Sequence, residues 1–316
     1  MKNKKLNRIM RLLVGSKGAR LALGLLVATP LWSADHFLFT TGNPDGLMGA
    51  APRPASPGKL ETETADDFTL DQTTFISRAT IVGLVPSGTQ AQDIKEVEVE
   101  VYHVFPLDSA NPPSGKVPSR ANSPSDVEIG TATRAGNPGT LTFSTNVLNS
   151  NFGVGNTVVN NLKVATAPPG GEGSTAGEQV EITITFTSPI ILPPDHYFFR
   201  PEVLLSSGDF LYLSAPKVIP ASKDLQAWIR NSNLAPDWLR IGTDIVGGAT
   251  APAFNMSFSL TGETVPEAGT PGETNCKGKS ISALSQQFGS IDDATSALGF
   301  SSVAALQDGV NLFCQP

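Results

Sequence analysis

The sequence predicts a mainly β protein, an antiparallel β-sandwich of jelly-roll-like type followed by a small C-terminal helical module closed by a disulfide. Three observations predict it. Runs between residues 65 and 262 alternate apolar and polar side chains with a period of two, most plainly Glu96-Val97-Glu98-Val99-Glu100-Val101, the pattern of a strand with one buried and one solvated face. Thirty glycines and 25 prolines beside only 16% charged residues suit a loop-rich β protein. The two cysteines, Cys276 and Cys314, bracket the last stretch behind a proline- and glycine-rich break, as a bridge closing a module in an oxidising compartment would.

Residues 1–34 read as a signal peptide. Lys2, Lys4, Lys5, Arg8, Arg11, Lys17 and Arg20 form a basic start with no acid among them, and an apolar run from Leu21 to Trp32 follows. That run is shorter than the ~20 residues a membrane span needs and fits a signal core, with cleavage near Ser33 or Ala34 and an uncleaved anchor as the alternative. The expected product is secreted or held at the cell surface and has no transmembrane segment. Beyond residue 34 there remain 15 basic and 29 acidic residues, net −14. A chain so acidic, without a basic cluster, repels nucleic acid, which is excluded as a partner.

Residues 35–64 hold turn formers such as Asn43-Pro44-Asp45-Gly46 and Pro57-Gly58 and are expected as an irregular lead-in. The sandwich is expected over 65–262. Its strand candidates are Asp67 to Leu70, Phe75 to Val85, Glu96 to Val101, Gln179 to Thr187, Tyr197 to Leu205, Phe210 to Ser214 and Asn255 to Thr261. One apolar face per strand means antiparallel sheets packed on each other. Two long connections, Pro106 to Asp126 and Ala165 to Gly177, are too rich in Pro and Gly for strands; such loops either carry a binding site or are plain excursions. Residues 263–275 read as a linker.

The module over 276–316 has helical spacing. Ile281, Leu284 and Phe288 recur on one face up to Gly289; Ser290 is placed to cap a second helix ending at Gly299; Ser301 is placed to cap a third, with Val303 and Leu306 inward. Helices this short are unstable singly, and a bridge closing about 39 residues adds ~4 kcal/mol by loop-closure entropy.

The chain has no GxSxG, HExxH, CxxC, phosphate-loop or EF-hand pattern. His36, His103 and His196 are scattered; His103 has the inward parity of its strand and is expected as a packed core residue. Asp195-His196 could orient an imidazole, although neighbours on a strand face opposite ways. Glu96, Glu98 and Glu100 are expected as a solvated stripe. Asp66 and Asp67 fit a strand-end turn or a structural calcium site, the one cofactor the residues admit. Trp228-Ile229-Arg230 and Trp238-Leu239-Arg240 repeat a Trp-x-Arg unit ten residues apart. Such indoles either stack on sugar rings with Arg230 and Arg240 beside them or clamp the sandwich edge.

Ala65-Asp66-Asp67-Phe68-Thr69-Leu70, Glu100-Val101-Tyr102-His103-Val104-Phe105-Pro106 and Phe258-Ser259-Leu260-Thr261-Gly262-Glu263 resemble stretches of secreted bacterial β-sandwich proteins of uncharacterised role. Many of those continue into a PEP-CTERM sorting tail. Val265-Pro266-Glu267 is similar to the opening of that tail, but Ala268 departs from it and neither its hydrophobic span nor its basic end follows. The resemblance implies an exported sandwich and carries over no catalytic residue. The expected function is that of a secreted, non-enzymatic cell-surface or matrix protein binding polysaccharide or a cell-surface protein. The alternative is a hydrolase acting on extracellular polysaccharide.

Overall fold

Period-two alternation becomes sheet wherever one face of a strand can be buried. The computed structural model describes residues 36–105, 120–129, 134–135, 139–216, 225–234, 237–248 and 253–315; the expected signal peptide, 1–34, lies outside them. Sixteen strands are described: β1 (His36–Thr40), β2 (Met48–Ala50), β3 (Thr62–Leu70), β4 (Thr74–Pro86), β5 (Ile94–Val104), β6 (Pro124–Glu128), β7 (Arg134–Ala135), β8 (Leu141–Val154), β9 (Asn156–Val158), β10 (Thr175–Leu192), β11 (Asp195–Leu205), β12 (Leu211–Ala215), β13 (Trp228–Asn231), β14 (Leu239–Arg240), β15 (Asn255–Met256) and β16 (Phe258–Thr264). Three helices follow, α1 (Cys276–Phe288), α2 (Ile291–Leu298) and α3 (Val303–Phe313).

The strands form two sheets. In the first, β4 lies between β10 on one side and β16 and β12 on the other; β8 flanks β10, β1 flanks β16, β2 and β15 pair with β12, and β9 runs parallel to β2. In the second the order is β14, β13, β3, β11, β5, with β6 and β7 both against β5. Their facing sides share the main core, in which Phe199 stacks on Phe258 at 5.1 Å and Phe68 on Tyr197 at 5.6 Å. Gly83 in β4 is required there: a Cβ would fall 1.9 Å from the Phe210 ring.

Three expectations change. The lead-in is not irregular throughout, because β1 pairs along β16, β2 joins β12 and β3 already begins at Thr62. The Pro106 to Asp126 connection, of which 106–119 lie outside the described residues, ends inside β6, whose proline is its first residue at a sheet margin, where no ladder donor is needed. The 263–275 stretch is tied down by bonds from Val265 N to Thr73 O (2.7 Å), from Gln287 Nε2 to Thr264 O (2.8 Å) and from Gly272 N to Cys314 O (3.2 Å).

The C-terminal helices carry the expected Cys276–Cys314 bridge, with the Cα atoms 5.7 Å apart. Ser290 caps α2 as its spacing predicts, accepting from Asp293 N at 3.0 Å, and Gly299 closes it at φ 82°. Ser302 rather than Ser301 caps α3, a shift of one position within a pair of serines. The module is also less separate than its composition implies: Phe75 of β4, Ile191 of β10 and Val265 pack into one cluster with Leu284, Leu298, Phe300 and Leu306. Among the described residues no helix is long and apolar enough to cross a membrane.

Candidate functional site

The outer face of the second sheet concentrates the charge. Strand parity sends Glu63, Ala65 and Asp67 of β3 outward, with His196, Phe198, Arg200 and Glu202 of β11, Glu98, Glu100 and Tyr102 of β5, and Trp228 and Arg230 of β13. Antiparallel register then sets Arg200 opposite Glu100 and Arg230 opposite Glu63. Arg200 is fully buried. Its Nη2 lies 2.9 Å from Glu61 Oε1, 3.0 Å from Glu202 Oε1 and in contact with Glu63 Oε1; its Nη1 lies 3.3 Å from Glu100 Oε2 and 3.7 Å from Glu98 Oε1. Tyr102 Oη donates to Glu100 at 2.6 Å and accepts from Arg230 Nη2 at 3.0 Å. Arg230 in turn binds Glu63 and, at 2.8 Å, Asp237.

Burial sets the electrostatics of this network. It pushes Glu202 up to about 8 in spite of Arg200. It pushes Glu98 up to about 7, assisted by the hydrogen bond and charge of Glu100. It also lowers Arg230, against the pull of Asp237. The glutamate stripe of β5 is therefore not a solvated face as expected: Glu100 is buried and Glu98 half-buried. The sequence hides the cluster because its members come from four strands. The one local signal is Arg200 itself, a lone cation in the apolar run Tyr197-Phe198-Phe199-Arg200-Pro201.

Glu61, Glu63 and Glu202 place carboxylate oxygens within 4.8 Å of one another, close enough for a metal. The centre of that triangle is taken: Arg200 Nη2 touches all three oxygens. Calcium bonds of 2.3–2.6 Å to the same atoms would bring a dication into contact with the guanidinium, so the arrangement fits the protein's own cation and not a metal.

The structure does not bring the Asp66 and Asp67 carboxylates together as a pair, because successive strand residues face opposite ways. Asp66 points inward and accepts from Met256 N at 2.7 Å; Asp67 points outward, 2.6 Å from His196 Nε2, and accepts from Leu225 N at 3.1 Å. Asp195 is thus not the orienting partner of the His196 ring; it lies 3.7 Å from His103 Nδ1. His103 is more than half exposed rather than packed in the core, since it sits one residue from the end of β5, where the sheet faces solvent. His36 is an exposed partner of Glu263 at 3.3 Å.

The Trp-x-Arg repeat resolves into a clamp. Trp228 and Trp238 are 2% and 0% exposed, so neither indole is offered to a sugar ring. Within each unit Trp and Arg share the outward face, and register sets Trp228 directly across from Arg240. Each arginine covers the indole of the other unit: Arg230 lies 4.5 Å from the Trp238 ring centre and Arg240 5.8 Å from that of Trp228. Asp244 holds Arg240 at 2.8 Å and Arg120 at 2.6 Å; burial alone would raise its carboxyl, but these two cations hold it below the usual range.

The Ala165 to Gly177 loop walls a cleft of about 500 Å³ lined by Leu47, Asn156, Gly170, Val246 and Phe254. Glu172 pins the loop by accepting from the backbone N–H groups of Val159, Asn160 and Asn161 at 2.6–2.9 Å. The Asn156 amide also holds the loop, its Nδ2 donating to Gly170 O and its Oδ1 accepting from Thr157 N and Gly173 N. No known protein family, no curated protein and no solved structure matches this chain.

Proposed function

We propose that the chain is an exported, non-enzymatic β-sandwich of the cell surface or extracellular matrix that works by contact with protein or polysaccharide. The Cys276–Cys314 bridge carries this reading, because such bonds persist in oxidising compartments. The Arg200 network supports the non-enzymatic part: the carboxylates that would serve as acid or base are held by the protein's own arginines. Fractionation of cells expressing the chain tests the proposal. The expected result is protein outside the cytoplasm, oxidised at both cysteines and beginning near Ser33 to Asp35 on N-terminal sequencing. Reduced cytoplasmic protein retaining residues 1–34 would overturn it.

A second reading, a hydrolase of extracellular polysaccharide, draws on Glu98 and Glu202, pushed up to about 7 and about 8. A carboxyl protonated near neutral pH is what a general acid requires. Release of new reducing ends from polysaccharide, abolished in Glu98→Gln, would favour it; no release by the unaltered protein discards it.

A further inference from the structure

β8 is unlike the other margins of the two sheets. Among the described residues it pairs with β10 alone, so one row of its backbone donors and acceptors has no strand beside it. Natural sheets blunt such rows by keeping marginal strands short or by placing charge or proline on them. The other margins here follow that rule: β14 and β7 have two residues each, β9 three and β1 five. β8 has 14 residues and contains no Asp, Glu, Lys, Arg or Pro. Residues 144–151 are exposed in unbroken succession, which in a strand means on both faces. Val147 and Leu148 are 44% and 47% exposed.

We propose that β8 is where a second copy of this chain adds, antiparallel about a two-fold axis, so that the sheet continues from one copy into the other. Charge excludes one class of occupant, and the self-complementarity of the strand points to a second copy. The chain carries 29 acidic and 22 basic residues, so two copies repel over much of their surfaces and approach most freely along a strip without charge. A basic partner would be drawn to the acidic surfaces instead. Strand pairing about a two-fold is self-complementary, residue i meeting j while j meets i. Against β10, β8 keeps regular register from Leu141 to Val147, and the irregularities begin beyond Val147. An axis at Thr145 uses that regular part. It sets Thr145 against Thr145 and Ser144 against Asn146, and lays Phe143 across from Val147 on the same face, covering apolar surface left open in the single copy. This inference does not depend on the compartment or on the proposed function.

Sedimentation of the purified protein tests it. The expected result is a dimer with a Kd at or below ~10 µM. A Thr145→Lys/Val147→Lys double variant should sediment as a monomer with unchanged circular dichroism, both positions being exposed. Thr145→Cys, which meets itself at the axis, should form an intermolecular disulfide on oxidation. A monomeric unaltered protein at ~100 µM overturns the proposal, whatever else binds to it. So does a double variant that still dimerises, or a Thr145→Cys protein that dimerises without cross-linking.

Discussion

Arg200 is one guanidinium set among five glutamates, and the consequences can be measured. Removing it leaves buried carboxylates without their counter-ion, so Arg200→Leu should cost about 3–5 kcal/mol near neutral pH, and less in acid, where the glutamates can protonate. Chemical denaturation at two pH values checks this; equal losses at both would contradict it. Glu202 gives a signed pH dependence. Its carboxyl is raised from 4.5 to about 8 on folding, so between those values the folded state holds a proton that the unfolded state has lost. The associated stability is complete below about 4.5 and is lost as pH rises through about 8. Each pH unit within that window removes up to ~1.4 kcal/mol. Glu172 and Asp244, lowered on folding, act in the opposite sense and only at more acid pH. Melting scans at pH about 5, 6.5 and 8 should fall more steeply for the unaltered protein than for Glu202→Gln. Parallel curves would show that Glu202 does not hold the proton.

At the scale of elements, β4, β5, β10 and β11 were legible because each must bury one face against the other sheet, and that demand writes the period-two pattern into the sequence. β8 was illegible for the opposite reason. A strand exposed on both faces needs no apolar alternation, and Thr142-Phe143-Ser144-Thr145-Asn146 shows none. β13 and β14 were too short to show a period, although their Trp-x-Arg repeat was visible; what it lacked was the register that turns two neighbouring motifs into reciprocal covers. The Arg200 cluster was hidden likewise, its residues being separated in sequence and joined only by pairing of β13, β3, β11 and β5. The clamp makes a stability prediction. Trp238→Ala empties a fully buried site under Arg230 and should cost about 3–5 kcal/mol, whereas retention on polysaccharide, if the protein shows any, should not change in molecules that remain folded. Calorimetry and a pull-down on the same preparation separate the two; lost retention with unchanged melting would restore a binding role for the indole.

Across the whole molecule, the question is whether the C-terminal helices form a unit of their own or a lid on the sandwich. Composition argues for the first, with Pro266, Gly269, Pro271 and Gly272 before Cys276. Packing argues for the second. Phe75 and Ile191 belong to central strands of the first sheet, yet their side chains join the helical cluster, and the Phe300 ring meets Phe75 edge-on at 6.5 Å. Deleting residues 276–316 would therefore do more than remove an appendage, since it opens Phe75, Ile191 and Val265 to water. At ~1.5–3 kcal/mol for each large apolar side chain uncovered, the truncated sandwich should melt lower and associate through the new surface. Opening the bridge is a different perturbation: Cys276→Ser/Cys314→Ser leaves Phe75, Ile191 and Val265 covered, and its main loss is the constraint on the unfolded chain, ~4 kcal/mol for a loop of this length. The two variants should separate in dye binding at matched fractions folded. The truncation should bind a hydrophobic dye in its native baseline, and the double serine variant should not. If the truncated sandwich instead keeps the unaltered melting temperature and binds no dye, the helices are an independent module and the shared cluster contributes nothing to the sandwich.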